Sequence, residues 1–364
     1  MDQRSTLAMA ASLLVLLACT SQPAAHEAAV PASVRLVAFG DAGTGKPSQT
    51  AVGEAMAEVC RARGCDLALE LGDNFYDSGV SSARDPQFAT AFEQPYAKLA
   101  ALKVPIYVVL GNHDNSGARA GDGGNNARGN FEVDYDHRTD RPSELWHMPA
   151  RFYGFSAPTG AGSPLVDFFA LDSSPVAPYV DDPDPAWHAE TYAAKQLAWL
   201  KSALHASRAP WKVAFAHHPY VSHGMHGNAG SYDGASSSDP ATAHRAGKLW
   251  KQLVEESLCP AGGADLYLAG HDHDLQWLAP TAACPRTEFI VSGAAEGGGK
   301  LRALGSGDHE TVRWSVGKQA GFFWISFAGD RMDVAAFTLE DGRLKRDASG
   351  APLAAFEDAV TRKP

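Results

Sequence analysis

The chain has 364 residues, 45% hydrophobic and 20% charged, enough for one large domain or two ordinary ones with a sizeable core. That balance excludes a disordered or fibrous protein. A formal net charge of -11 with no basic stretch excludes a nucleic-acid backbone as primary partner, and an anionic substrate would need local positive charge such as metal ions supply.

Arg4 and the apolar stretch from Leu7 to Ala18 read as a signal peptide over residues 1–18, too short to span a bilayer. The stretch ends in Leu16-Leu17-Ala18-Cys19, which is similar to a bacterial lipobox and implies a lipid on Cys19 and anchoring to a membrane. The alternative is ordinary cleavage near Ala24 or Ala25; either way the protein is expected to be exported, to a bacterial periplasm, outer membrane or cell surface. Residues 19–33, rich in Ala, Pro and Ser, read as a tether. A catalytic domain is expected over 34–345 and a tail over 346–364.

The first strand, LVAF, ends at Gly40-Asp41. An amphipathic helix over 48–63 stops at Gly64, and a second strand, LALEL, ends at Gly72-Asp73 with Tyr76 close behind. Asp85-Pro86 is an N-cap and first-turn pair for one helix running through Phe88, Phe92, Tyr96 and Leu99. A third strand, IYVVL, ends at Gly111-Asn112 and leads into residues 115–142, which show no hydrophobic period and read as a long loop at the substrate entrance. Leu197, Leu200 and Leu204 mark a helix before the strand VAFA and His217. Leu249, Leu253 and Leu258 mark another before LYLA, Gly270 and His271. Residues 296–310 are expected to border the same mouth, and beyond 320 the pattern alternates as strands with turns at Gly329-Asp330 and Asp341-Gly342.

Export makes the cysteines interpretable, because four remain after Cys19, an even number for an oxidising compartment. Cys60 ends the first helix and Cys65 precedes the second strand, so a bridge there staples a helix-to-strand turn. Cys259 and Cys284 precede strands at Leu266 and Phe289 whose starts can lie side by side. The expected architecture is one α/β domain with two packed sheets.

Asp41, Asp73, Tyr76, Asn112, His217, His271 and His273 thus stand at or just past strand ends, where ligands gather in layered α/β proteins. Together they offer donors for two metal ions, the pattern of a two-metal hydrolase. The series GDAG, GDNFYDSG, GNHD, AHHP and GHDHDLQWL resembles the purple acid phosphatases, and most nearly their small tartrate-resistant type, over about residues 34–345. The resemblance implies a four-layer α/β/β/α metallophosphoesterase sandwich with two mixed sheets. It implies Fe(III) on Asp41, Tyr76 and His273, a divalent Fe(II), Zn or Mn on Asn112, His217 and His271, and Asp73 between them. It also implies hydrolysis of phosphorylated small molecules, as monoesters, by in-line attack of a metal-bound hydroxide. Hard oxygen donors suit the trivalent ion, and imidazoles with an amide suit the divalent one.

Of the 14 histidines, His113 follows a ligand and points elsewhere, so it suits a proton donor over the metals. His226, nine positions after His217, matches a second active-site histidine of the tartrate-resistant type, with His223 a competitor. Asp114 and Asp272 are expected to orient neighbouring histidines, whereas His218, where those relatives usually carry tyrosine, has no expected role. Asn115 departs from a frequent histidine and Ala42 from a common tryptophan. Gly40 to Lys46 nearly spells a phosphate-cradling P-loop, but Pro47 replaces the magnesium-binding hydroxyl. Two other readings are a phosphodiesterase or nucleotidase with the same metals and a lipid-anchored phosphate- or nucleotide-binding protein with little activity.

Overall fold

Apolar strands that bury both faces must be covered by helices on one side and a second sheet on the other, and this requirement organises the chain. The computed structural model describes residues 33–159, 163–239, 243–303 and 311–362. The signal peptide, Cys19, nearly all of the tether and residues 304–310 of the expected mouth segment lie outside them. Among the described residues, no helix is long and apolar enough to cross a membrane.

In chain order the first half contains β1 (Ser33–Phe39), α1 (Pro47–Arg63), β2 (Leu67–Glu70), α2 (Ala97–Ala101), β3 (Ile106–Val108), α3 (Asn130–Asp136), β4 (Trp146–His147), β5 (Tyr153–Ala157) and β6 (Val166–Ala170). There follow α4 (Ala189–Ala206), β7 (Trp211–Phe215), α5 (Lys248–Ser257), β8 (Leu266–Ala269), β9 (Leu275–Leu278) and β10 (Glu288–Ser292). The chain closes with β11 (Val312–Val316), β12 (Ala320–Ala328), β13 (Arg331–Glu340), β14 (Arg343–Leu344) and β15 (Phe356–Thr361). One mixed sheet runs β14-β13-β12-β1-β2-β3-β4, with β15 also on β13; the other runs β11-β9-β10-β8-β7-β6-β5.

Strand alternation sorts the core. From β7, Trp211, Val213 and Phe215 join Leu266 and Leu268 of β8 in the core shared with the first sheet. Ala214, Tyr267 and Ala269 point the other way, where Leu200 and Leu204 of α4 and Trp250, Leu253 and Val254 of α5 cover them. Cys60–Cys65 and Cys259–Cys284 are both bridged, with Cα–Cα distances of 4.9 and 4.3 Å. The second bridge sits where β8 and β10 run parallel.

Three expectations change. The single helix after Asp85 divides into a π-helical segment, Phe88–Glu93, and the short α2. Pro95 lies at the break, since it has no N–H for the carbonyl of Ala91, and that carbonyl accepts Gln49 Nε2 instead at 2.6 Å. Residues 115–142 are not an uninterrupted loop, because they hold a 3₁₀ turn at Asn126–Gly129 and α3. Helix α3 packs through Tyr135, stacked on Phe88 with ring centroids 3.7 Å apart, and through buried Glu132, a polar core residue that hides its period. The expected tail contributes β15, whose exposed Glu357 and Asp358 mask an edge strand paired with β13 from Arg331 to Ala336.

Candidate metal centre

The loops leaving β1, β2, β3, β7 and β8 converge at one end of the sandwich, and their geometry is demanding. Asp41, Asp73 and His271 have φ of 58°, 54° and 70°, a left-handed conformation that costs energy outside glycine and recurs at functional sites. Glycines let these loops touch. A Cβ on Gly111 would lie 2.1 Å from Asp73 Oδ1, and one on Gly72, itself at φ 88°, 2.8 Å from the His217 ring.

Two groups of donors share Asp73. On one side, Tyr76 Oη lies 2.9 Å from Asp73 Oδ2, 3.4 Å from Asp41 Oδ1 and 3.2 Å from His273 Nε2. On the other, His217 Nε2 lies 3.4 Å from Asp73 Oδ1, 2.8 Å from Asn112 Oδ1 and 3.1 Å from His271 Nδ1. All seven expected residues are therefore brought together, with the two oxygens of Asp73 facing different groups.

Metal bonds of about 2.0–2.2 Å place neighbouring donors about 3 Å apart around one ion, so both groups have the spacing that an ion requires. The electrostatics point the same way. Burial and then Asp73 push Asp41 well above the usual carboxylate range, and burial, Asp73 and Asp41 push the Tyr76 phenol up. Both groups need a cation beside them to ionise. Burial holds the imidazoles of His217 and His271 low, which keeps them neutral and able to donate a lone pair. His217 Nδ1 faces the carbonyl of Leu71 at 2.9 Å, fixing the tautomer that turns Nε2 to the centre.

His113 Nδ1 lies 2.7 Å from the carbonyl of Asp77 and its ring 4.4 Å from that of Tyr76. His226 lies tilted against His271 by 33°, with ring centroids 4.2 Å apart. His223 is buried, with Nε2 3.3 Å from Thr311 Oγ1. His218 is buried beside His271 and bonded through Nδ1 to Ser173 Oγ at 2.8 Å. Asp114 and Asp272 fasten loops more than they orient rings. Asp114 accepts backbone N–H groups of Asn74, Phe75 and Gly111; Asp272 accepts those of His226 and Gly227 and the hydroxyl of Ser222.

The segment after GNHD reaches the centre as well, since Asn112 Nδ2 donates to the carbonyl of Gly121 at 2.8 Å. A Cβ on Gly121 would fall 2.6 Å from His113 Nε2, so glycine leaves that nitrogen open. Sequence reasoning missed Tyr179, Asp233 and Arg151. Tyr179 Oη lies 3.0 Å from His271 Nε2 and 2.6 Å from Asp233 Oδ2, and Arg151 pairs with Asp172 at 2.7 Å while donating to Asn115 Oδ1 at 3.0 Å. None stands next to a motif, and no local pattern in the sequence marked them.

The family model described as calcineurin-like phosphoesterase matches residues 34–275. Tartrate-resistant acid phosphatase type 5 of Homo sapiens is 30% identical over 292 residues, covering 77% of this chain and 78% of the relative. Purple acid phosphatase 17 of Arabidopsis thaliana is 29% identical over 273 residues, covering 72% and 69%. Among solved structures, GAP50, the anchor in the inner membrane complex of Plasmodium, superposes with a TM-score of 0.66 at 15% identity, covering 91% and 90%. Purple acid phosphatase PPD1 from yellow lupin seeds superposes with a TM-score of 0.55 at 14% identity, covering 91% of this chain and 54% of its own. These two likenesses speak for the fold.

Proposed function

The chain belongs to the calcineurin-like phosphoesterase family, in its purple acid phosphatase branch, and is a phosphoric ester hydrolase; from that premise we propose an exported acid phosphatase with a dinuclear metal centre, acting on phosphate monoesters of small molecules. The observation that carries the reading is Asp73, whose two oxygens face two separate donor groups. Asp41, Tyr76 and His273 would hold Fe(III), Asn112, His217 and His271 a divalent Fe, Zn or Mn, and Asp73 both. Bound there, the pair would neutralise phosphate charge and supply a water of lowered pKa.

The chain's own residues supply position and protons. Asn112 is oriented by the Gly121 carbonyl, and Asp73 Oδ1 also accepts the backbone N–H of His113 at 2.9 Å, so the residue after the ligand is held by the ligand's neighbour. With Nδ1–H given to the Asp77 carbonyl, His113 carries its transferable proton on Nε2 and hands it to the departing alkoxide or phenoxide. His226, with Nδ1 2.8 Å from Asp233 Oδ1, presents Nε2 as the second donor. Residues 119–124, which reach His113 at Gly121, and residues 296–303, which reach His273 at Gly299, would limit the size of the leaving group.

Purified protein with its metals quantified tests the reading against monoesters, diesters and nucleotides. The expected result is iron plus one divalent ion per chain and a preference for monoesters, lost on chelation and regained on reloading. Protein that is metal-replete yet cleaves diesters alone, or nothing, overturns it. Anchoring belongs to the proposal too: the mature chain should carry a lipid on Cys19 and partition with membranes, and Cys19→Ser should abolish both. An unlipidated mature chain beginning near residue 26 would refute that part.

A further inference from the structure

Tyr179 stands on the loop between β6 and α4, and Asp233 on the turn that follows the His226 loop, far apart in sequence from each other and from the ligands. Both are firmly seated. Val176 and Ala177 are buried, and Val180 N donates to the carbonyl of Asp122 at 3.2 Å. Asp233 N donates to the carbonyl of His226 at 2.9 Å, beside buried Tyr232.

Hydrogen-bond roles in this cluster follow from the inventory of donors. The Asp233 carboxylate only accepts, so Oδ1 takes the N–H of His226 Nδ1 at 2.8 Å and Oδ2 takes the Tyr179 hydroxyl at 2.6 Å. With its single proton committed, the Tyr179 oxygen offers a lone pair to His271 Nε2 at 3.0 Å. His271 must then carry its proton on Nε2 and turn the Nδ1 lone pair inward, where it lies 3.1 Å from His217 Nε2. His271 is only 3% exposed, so water is a poor substitute for the phenol.

We propose that Tyr179 and Asp233 are positioning residues: one carboxylate fixes the orientation of the proton donor His226 and, through the Tyr179 hydroxyl, the tautomer with which His271 holds the divalent ion. The proposal rests on the reading of these two histidines given above. It makes the divalent site and the second proton donor depend on one shared anchor.

Tyr179→Phe, Asp233→Asn and the double variant test it. Asn tolerates the φ of 51° at position 233, so the backbone turn is retained, but an amide keeps an accepting oxygen at only one of the two positions that His226 and Tyr179 face. Divalent affinity, read by zinc titration against a chelator, should fall about 10–100-fold in either single variant. The double variant should be no worse than the poorer single one, because both break the same chain of bonds. Before metal is added, nitrogen-15 spectra should assign the wild-type His271 proton to Nε2, and Tyr179→Phe should shift the tautomer population toward Nδ1–H. Asp233→Asn alone should also slow alkyl phosphates more than nitrophenyl phosphate, as His226 loses its hold.

Wild-type zinc affinity in Tyr179→Phe with an unchanged His271 tautomer overturns the proposal. So do independent, multiplying losses in the double variant. If the wild-type chain proves inactive on monoesters, the proposed function fails, while titration and spectra still decide the role of Tyr179.

Discussion

Arg151→Met removes the cation that ties the segment after GNHD to the second sheet. Arg151 is 9% exposed, pairs through Nε with fully buried Asp172 at 2.7 Å, and donates to the Asn126 carbonyl and, at 3.0 Å, to Asn115 Oδ1. Its guanidinium stacks on Trp187, 4.5 Å from the ring centroid. Methionine keeps much of the stem volume, so the main loss is charge and hydrogen bonds. Among the described residues, the Asp172 carboxylate would retain only the Tyr192 hydroxyl at 2.7 Å, with its other oxygen already unpartnered. Stranding one member of a buried pair costs about 3–5 kcal/mol, against a total stability of about 5–15 kcal/mol. In a chain this long each kcal/mol moves the Tm by about 1–2 °C, so a drop of about 3–10 °C is expected. Chemical denaturation of the metal-loaded protein should give the energy directly, and chelator competition should show weaker divalent binding because Asn115, which braces the Gly111 carbonyl at 2.9 Å, is loosened. Arg151→Met/Asp172→Asn should recover at least half of the stability. A single variant that loses under about 1 kcal/mol, or a double variant no better than the single, would refute the argument that a stranded charge sets the cost.

Tyr76→Phe should abolish the visible charge-transfer band expected of a phenolate on Fe(III) while leaving divalent content intact; colourless wild-type protein with stoichiometric iron would remove Tyr76 from the ligand set. His113→Ala should slow alkyl phosphates far more than nitrophenyl phosphate, by up to about 10²–10⁴-fold, whereas His223→Ala should behave as wild type in steady-state assays. Burial raises Asp265 above its ordinary 3.8, more than its bond from Lys212 N and nearby cations lower it. The folded state then holds a proton that the unfolded chain has released, so this group's contribution to stability falls as pH rises from the unfolded pKa to the folded one. Asp265→Asn should accordingly be more stable than wild type at neutral pH, with the gain vanishing below about pH 4 in denaturation curves; a gain independent of pH would show that the carboxylate is not its source.

The convergence of the seven candidate donors was legible because each is encoded beside the strand that carries it. An apolar run, a glycine and then Asp, Asn or His is a local pattern, and the glycine has a local reason, as at Gly111 against Asp73 Oδ1. The paired sheets were legible for the same cause, since alternation and Asp-Gly turns are properties of short windows; Asp341 and Gly342 both take positive φ, 49° and 71°, as such a turn requires. What escaped depends on partners remote in the chain. Helix α3 owes its place to Glu132, 58 residues from the Asn74 amide that binds it. Tyr179 meets His271 across 92 positions, and Arg151 meets Asn115 across 36.

That division has a physical consequence for the site. The local pattern supplies donor atoms, but a donor becomes a ligand of defined tautomer and direction only when its other polar atoms are occupied, and here those partners come from different layers and loops. His217 is oriented by the β2 carbonyl strand end at Leu71, His271 by a phenol from beyond β6, and Asn112 by Gly121. A relative could keep every motif and lose the centre through a change at Tyr179, Arg151 or Gly121. Grafting the seven donors alone onto a similar sandwich should therefore bind metal weakly and without the two-ion stoichiometry, and adding Tyr179, Asp233 and the Arg151–Asp172 pair should restore it, as metal analysis after gel filtration would read. Full two-ion loading by the seven donors alone would show that the surrounding partners contribute stability and not selection of the bound state.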